Sequence, residues 1–216
     1  VLIIGSPVSM IEWIDDVPVV LIPWYAGMEA GYAITNILFG EVNPSGKLPI
    51  TFPKNLSDSP AHQSHETYPG NEKVLYKEGV FVGYRHFDTR GIEPLFPFGY
   101  GLSYTNFTCE NISLSSNSLK KGETLTIAVD VINTGDREGA EVVQLYLQDA
   151  ESSVERPLKE LKGFSKVFLN PKEKKTVQFT LTEQDLSFFD EKSMIWKSEP
   201  GTFKVLIGNS SKNILP

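Results

Sequence analysis

Hydrophobic residues change their spacing near residue 105 of the 216-residue chain, and this change limits the choice of fold more than any other property of the sequence. Before that point, Val1–Ile4 and Val19–Ile22 are continuous apolar runs, typical of strands buried on both faces of a parallel sheet. Apolar and small residues between Met28 and Phe39 follow helical spacing, and Gly40 is placed to end the helix. A short edge strand is predicted at Leu48–Phe52, because Pro49 lies in it and Pro53 follows it. Residues 1–105 are therefore predicted to belong to an α/β domain.

After residue 105, apolar and polar residues alternate, which is the pattern of strands with one buried face. Alternating runs begin at Leu125, Val143, Val177 and Phe203, and sequences typical of turns separate them. Roughly seven short strands over about 100 residues are the signature of an immunoglobulin-like or fibronectin type III-like sandwich. The Cys…Trp…Cys pattern of immunoglobulin domains is missing, so residues 106–216 are predicted to form the fibronectin-like version.

Charge and cysteine content exclude several classes of protein. Lys and Arg number 20 against 27 Asp and Glu, which gives a net charge of -7 and argues against a nucleic-acid-binding protein. The most apolar stretch, Val17–Trp24, is short and contains Pro18 and Pro23, so no membrane span is predicted. Cys109 is the single cysteine, which excludes an intramolecular disulfide and a cysteine-based zinc site.

The residues that carry common catalytic chemistry form no convincing site. His62 and His65 lie in a long polar loop predicted at about 54–77, and His86 lies outside it, so neither a metal nor a cofactor is predicted. Gly5-Ser6-Pro7 lacks the second glycine of a nucleophile elbow, and no phosphate-binding glycine motif is present. Carboxylates are numerous, and a suitable pair would perform glycoside hydrolysis, but helix ends, turns and solvated faces explain each of them equally well.

Several segments, in order and with typical spacing, resemble the C-terminal region of glycoside hydrolase family 3, which contains β-glucosidases and β-xylosidases. In the first part these segments are Trp24–Gly31, Leu38–Pro49, Tyr76–Arg85 and Pro94–Tyr104. In the second part they are Asn133–Gly135, Val142–Tyr146, Arg156–Phe164 and Glu199–Phe203. The resemblance implies the C-terminal part of an α/β sandwich domain at 1–105, followed by a fibronectin type III-like domain at 106–216.

The resemblance also implies a function, which is retaining hydrolysis of O-glycosyl bonds in β-linked glucosides or oligosaccharides. Such enzymes use a nucleophile and an acid/base about 5–5.5 Å apart. The family's nucleophile lies in a barrel domain and its acid/base lies upstream of the segment that Val1–Ile4 resembles, so no catalytic residue is assigned to this chain. We expect the chain to be part of a longer polypeptide, inactive alone, and active with the barrel domain or a partner chain that carries it.

Trp24, Tyr25 and Glu29 are the candidate substrate-binding residues. They follow the predicted strand Val19–Ile22, and ligands of open α/β sheets bind beyond the carboxyl ends of strands. The alternative is structural, because aromatic residues pack in cores and Glu29 near a helix start is stabilised by the helix dipole.

Two further interpretations remain open at the level of sequence. The chain is either a portion of a glycosidase, including one cut by proteolysis, or a non-catalytic module that binds carbohydrate or protein. Because Val1–Ile4 and the helix at Met28–Phe39 would lack neighbours, we expect exposed apolar surface and a chain that either associates into oligomers or is partly unfolded. The sequence leaves the cellular compartment, the sugar and the linkage open.

Overall fold

The computed structural model describes residues 1–215 and divides the chain into two compact units, Val1–Ser103 and Tyr104–Pro216. Helix α1 (Ala30–Leu38) confirms the helix predicted between Met28 and Phe39. It ends where Gly40 adopts a φ of 79° and donates its N–H to the Ile37 carbonyl. Helix α2 (Tyr84–Arg90) was not predicted, because its seven residues span less than two full turns.

The strands predicted in the first unit are wrong as regular elements. Val1–Ile4 and Val19–Ile22 are extended, but between the two only the Leu2 N–H donates to the Leu21 carbonyl, at 2.8 Å. Leu48–Phe52 forms a single bridge, between Phe52 and Phe96. A regular strand needs a ladder of hydrogen bonds to a neighbouring strand, and among the described residues the isolated contacts of these runs do not extend into one.

The polar loop at about 54–77 is confirmed as a segment with neither α-helix nor strand. It contains the 3-10 turns Leu56–Asp58 and Pro60–His62, and a third such turn, Ile14–Asp16, lies earlier in the unit. Thr67 anchors the loop because its buried hydroxyl hydrogen-bonds to the carbonyls of Ala61 and Ser64, at 2.8 Å each.

The second unit consists of antiparallel strands. They are β1 (Phe107–Leu114), β2 (Leu125–Asn133), β3 (Gly139–Asp149), β4 (Glu160–Leu169), β5 (Lys174–Leu181), β6 (Phe188–Asp190), β7 (Ile195–Lys197) and β8 (Phe203–Gly208). One sheet has the order β1-β2-β5, the other has the order β4-β3-β8, and β6 and β7 form a separate hairpin. A one-turn helix, α3 (Glu183–Leu186), follows β5.

The alternating residues of the second unit form its core, as the sequence predicted. In β2 every second residue is buried. The core-facing side of β3 contributes Val143, Leu145 and Leu147. Leu169 of β4, Ile207 of β8, and Val177, Phe179 and Leu181 of β5 also belong to the buried cluster. Burying side chains of this size stabilises a fold by roughly 1.5–3 kcal/mol each, so the alternation decides the position of the sheets.

Asn133, at the end of β2, is fully buried and makes hydrogen bonds through every polar atom of its side chain. Its Nδ2 donates to the carbonyls of Arg137, at 2.7 Å, and Leu169, at 3.3 Å. Its Oδ1 accepts from the Thr105 hydroxyl, at 2.7 Å, and from the Gly135 N–H, at 3.1 Å. One amide therefore joins the end of β2, the turn after it and the end of β4, which belongs to the other sheet.

Arg156 lies at the centre of a largely buried ion-pair cluster between β3 and β4. Its guanidinium donates to Asp149, at 3.0 Å, and to Glu160, at 2.7 Å. It also donates to the Leu186 carbonyl and lies over the Phe188 ring, 5.8 Å from the centroid. The cluster therefore connects the β3–β4 loop to the start of the β6–β7 hairpin.

Candidate functional site

The segment that contains the three candidate residues has an unusual backbone. Trp24 adopts a φ of 54°, which is rare for a bulky residue, and Gly27 adopts a φ of 74°. The Trp24 ring lies against the fully buried Phe52, with 6.3 Å between the ring centroids. This contact holds Trp24 at the surface of the unit's aromatic cluster, where it is partly exposed.

Tyr25 and Glu29 are both exposed. Tyr25 has 83% of its surface accessible, and its phenol lies over Gly5, where a Cβ atom would overlap the ring. Glu29 stands at the start of α1, its carbonyl accepts the Ala33 N–H, and its carboxylate makes no capping hydrogen bond. The three side chains thus follow one another along one short segment, and no ring contact or hydrogen bond joins them among the described residues.

The aromatic run Leu95–Tyr100 packs within the first unit. Phe96 lies edge-on to Phe52, at 6.4 Å, and stacks on Tyr100, at 5.4 Å. Together with Trp24 these rings form a continuous aromatic cluster, which agrees with the structural alternative in which aromatic residues pack in the core.

Two of the three histidines, His62 and His86, pack within the first unit, and His65 is exposed. His86 is buried on α2, and burial lowers its pKa, to which the nearby Arg90 charge adds. The His62 ring lies 4.7 Å from the Tyr68 ring. Among residues 1–215 no group of three His, Cys, Asp or Glu side chains is close enough to hold a metal ion.

Sequence patterns did not reveal three buried polar atoms that find no hydrogen-bond partner among the described residues. They are the Thr51 hydroxyl, Nδ1 of His62 and Oε2 of Glu78. Glu78 lies in Tyr76–Arg85, one of the segments that resemble family 3. Its sequence neighbours give no signal that one of its carboxylate oxygens is buried. Unpartnered buried groups are uncommon in folded proteins and destabilise them.

The segment offers hydrogen-bonding groups to a ligand but no catalytic pair. An exposed phenol and an exposed carboxylate suit a hydroxyl-rich ligand, whereas hydrolysis of a glycoside requires two placed carboxyl groups. Glu29 is the one carboxylate of the candidate residues.

No helix in the described part of the chain is long and apolar enough to cross a bilayer.

Comparison with protein families decides the affiliation of the chain. Residues 1–84 match the glycosyl hydrolase family 3 C-terminal domain, and residues 141–211 match a fibronectin type III-like domain. The chain corresponds to the C-terminal region of glycosyl hydrolase family 3 enzymes. The expected fold class, an α/β sandwich part followed by a β-sandwich, is confirmed by these two matches.

Curated relatives of family 3 align with the entire chain. Thermostable beta-glucosidase B of Acetivibrio thermocellus is 51% identical over 216 residues, which are 100% of this chain and 28% of that protein. Beta-glucosidase BoGH3A of Bacteroides ovatus is 45% identical over 99% of this chain and 29% of its own length. The chain therefore spans less than a third of the length of these relatives and corresponds to their C-terminal part.

Solved structures of family 3 enzymes contain the same fold. The beta-glucosidase of Kluyveromyces marxianus in complex with glucose superposes with a TM-score of 0.88 at 44% identity, over 98% of this chain and 25% of that chain. Beta-glucosidase 3B of Thermotoga neapolitana in complex with alpha-D-glucose gives a TM-score of 0.89 at 42% identity, over 98% and 29%.

Proposed function

We propose that the chain is the C-terminal portion of a retaining β-glycosidase of the β-glucosidase type, acting on β-linked glucosides or oligosaccharides. The observation that carries this proposal is the 51% identity to a β-glucosidase over all 216 residues, so the alignment includes both units of the chain. The nucleophile and the acid/base belong to the parts of the enzyme outside this chain. The chain by itself hydrolyses nothing.

The exposed apolar surface of the first unit supports this proposal. Helix α1 carries an apolar stripe by sequence, yet none of its residues is fully buried. Large apolar side chains that are exposed on and beside this helix include Met28, Tyr32, Leu38 and Phe39. An apolar surface of this kind marks a site of contact. We assign it to the remainder of the glycosidase, which includes the barrel domain.

Trp24, Tyr25 and Glu29 form part of the edge of the substrate pocket in the complete enzyme under this proposal. The positive φ of Trp24 supports the assignment, because strained backbone is found preferentially at functional sites. The exposure of Tyr25 and Glu29 leaves their polar atoms accessible to a bound sugar.

A chimera tests the proposed function. The corresponding 216 residues of the Acetivibrio thermocellus enzyme are replaced by this chain, and hydrolysis of p-nitrophenyl β-D-glucoside is measured for the chimera, the isolated chain and the relative without its C-terminal part. We expect activity in the chimera alone. Hydrolysis by the isolated chain, or a folded chimera without activity, contradicts the proposal.

Substitutions in the active chimera test the pocket edge. Trp24→Ala and Glu29→Gln are expected to raise KM severalfold with a smaller change in kcat, because they remove binding contacts rather than reacting groups. Glu41→Gln is the matched control, since Glu41 is also exposed and lies just after α1. An unchanged KM in both variants contradicts the assignment.

A further inference from the structure

The β6–β7 hairpin of the second unit presents two aromatic side chains away from the core. Phe189 and Trp196 are paired across the strands, with 5.8 Å between ring centroids and an interplanar angle of 70°. They are 42% and 65% exposed. Among the described residues the buried core cluster includes no hairpin residue from Phe188 to Lys197. The core of the unit therefore does not account for this aromatic pair.

The two faces of the hairpin differ in environment. Side chains alternate along a strand, so Phe188 and Lys197, which are paired, lie on the face opposite to Phe189 and Trp196. On that opposite face, Arg156 and Lys197 lie over the Phe188 ring at 5.8 and 6.0 Å, which ties the hairpin to the ion-pair cluster. Among the described residues no such contact involves Phe189 or Trp196, so their face is accessible to a ligand.

The hairpin turn is held in one conformation by Asp190. Its carboxylate accepts the Ser193 hydroxyl, at 2.6 Å, and the Lys192 N–H, at 3.2 Å, while its carbonyl accepts the Met194 N–H, at 2.8 Å. A rigid aromatic surface loses little conformational entropy when it binds a ligand. The hairpin thus resembles a preorganised platform more than a loose loop.

The charged residues beside the platform are mixed in sign. Lys197 forms an ion pair with Glu199, at 3.0 Å, and Glu199 also accepts the Ser153 hydroxyl, at 2.6 Å. At the turn, Asp190 and Glu191 are acidic and Lys192 is basic. Together with Lys197 and Glu199 these side chains leave a small negative excess, which has no electrostatic attraction for a polyanion and suits an uncharged ligand better.

We propose that Trp196 and Phe189 form a binding platform for an uncharged β-linked gluco-oligosaccharide, separate from the hydrolytic site. A β-glucosyl ring has equatorial substituents, so its two faces present C–H groups, which pack on the electron-rich face of an aromatic ring. Because the two rings meet at a steep angle, one forms the floor and the other forms a side wall. The choice of sugar rests on the proposed function, since the relatives are named as β-glucosidases.

Binding is measured separately from hydrolysis, so that the two proposals fail independently. Cellohexaose is titrated into the 216-residue chain by calorimetry, and the chain is run in gels containing hydroxyethyl cellulose. Maltohexaose, an α-linked oligosaccharide, is the ligand control. We expect millimolar or tighter binding of cellohexaose and at least tenfold weaker binding of maltohexaose.

The variants assign the binding to the hairpin. Trp196→Ala is expected to weaken cellohexaose binding about tenfold, whereas Trp196→Phe retains it within about threefold because a ring remains. Phe189→Ala is a second variant, and thermal unfolding verifies that each variant is folded. Phe164→Ala is the matched control, because Phe164 is another exposed aromatic residue of the same unit, on β4.

Three results overturn the platform. The wild-type chain fails to bind cellohexaose, or Trp196→Ala has no larger effect than Phe164→Ala, or Trp196→Ala lowers the stability of the chimera without affecting binding. The last result would show that the rest of the enzyme covers the hairpin. In the chimera, Trp196→Ala is expected to leave hydrolysis of p-nitrophenyl β-D-glucoside unchanged, so a failed platform leaves the proposed function standing.

Discussion

Replacement of Asn133 tests whether one buried amide holds the two sheets of the second unit together. Asn133→Ala removes four hydrogen bonds, two donated to carbonyls and two accepted from the Thr105 hydroxyl and the Gly135 N–H. At about 1 kcal/mol for each bond, the free energy of unfolding of this unit should fall by about 4 kcal/mol. Domains of ordinary stability have only about 5–15 kcal/mol in total, so the variant should be close to unfolding.

The assay is denaturant unfolding monitored by amide hydrogen exchange in β2 and β4. Because these strands belong to the second unit, the exchange reports the unfolding of that unit and not of the first. Asn117→Ala is the matched control, because Asn117 is exposed, and it should change the free energy of unfolding by less than about 0.5 kcal/mol. If the two alanine variants lie within 1 kcal/mol of each other, the amide does not carry the energy that its geometry indicates.

Asn133→Asp adds a dependence on pH with a definite sign. The new carboxyl group would be buried and would face the carbonyls of Arg137 and Leu169, so its pKa in the folded state should rise above the unfolded value. A raised pKa gives stability that is full in acid and lost as pH rises through the folded-state pKa. We expect the variant to be more stable at pH 4 than at pH 7, relative to wild type. A difference that is constant over this range refutes the reasoning.

Three further substitutions test single interactions by thermal and denaturant unfolding. Thr51→Val should stabilise the first unit by about 1 kcal/mol because it removes a buried hydroxyl without a partner, whereas Thr67→Val should destabilise it by about the same amount because that hydroxyl is hydrogen-bonded. Arg156→Met should lower the free energy of unfolding by about 3 kcal/mol, since it leaves the Asp149 carboxylate without the guanidinium and removes the nearer of two cations beside Glu160, the other being Lys162 at 3.7 Å; a cost below 1 kcal/mol contradicts this. Hydroxyl and ammonium donors lower the pKa of Glu199 to about 2, so its carboxylate contributes stability that wild type loses as pH falls from about 4.3 towards 2. Glu199→Gln should remove this contribution, so the variant should lose less stability than wild type over this pH range. An equal loss in both proteins contradicts the prediction.

The second unit could be predicted from sequence because each antiparallel strand carries its own signal. One face of β2 is buried and the other faces outwards, so the alternation in Leu125–Val131 specifies both the strand and its core face. The signal fails in short or mixed strands. The three-residue strands β6 and β7 have too few residues for a period, and β1 and β4 contain apolar residues on the outward face as well.

The first unit could be predicted only in part, because its signals depend on partners. Continuous apolar runs such as Val1–Ile4 indicate burial on both faces, but they become strands only when neighbouring strands provide a ladder. The candidate residues of the site could likewise be predicted only in part. Their sequence position indicated the end of a strand, whereas the positive φ of Trp24 and the contact between Tyr25 and Gly5 depend on backbone geometry that no pattern encodes.

Exposed apolar surface has a different meaning in the two units. In α1 the helical spacing of Ala30, Ile34 and Ile37 predicts a buried face, and the structure leaves that face only half buried. That mismatch between pattern and burial supports a contact with the rest of the glycosidase. Around Trp196 no sequence pattern predicts burial, and the hairpin is held by its own hydrogen bonds. The exposure of Trp196 therefore conflicts with no prediction from the sequence. In the chimera, acrylamide should therefore quench Trp196 as strongly as in the isolated chain, while the apolar face of α1 should become protected from hydrogen exchange and surface labelling. Protection of both surfaces would leave the hydrolytic proposal intact and remove the platform.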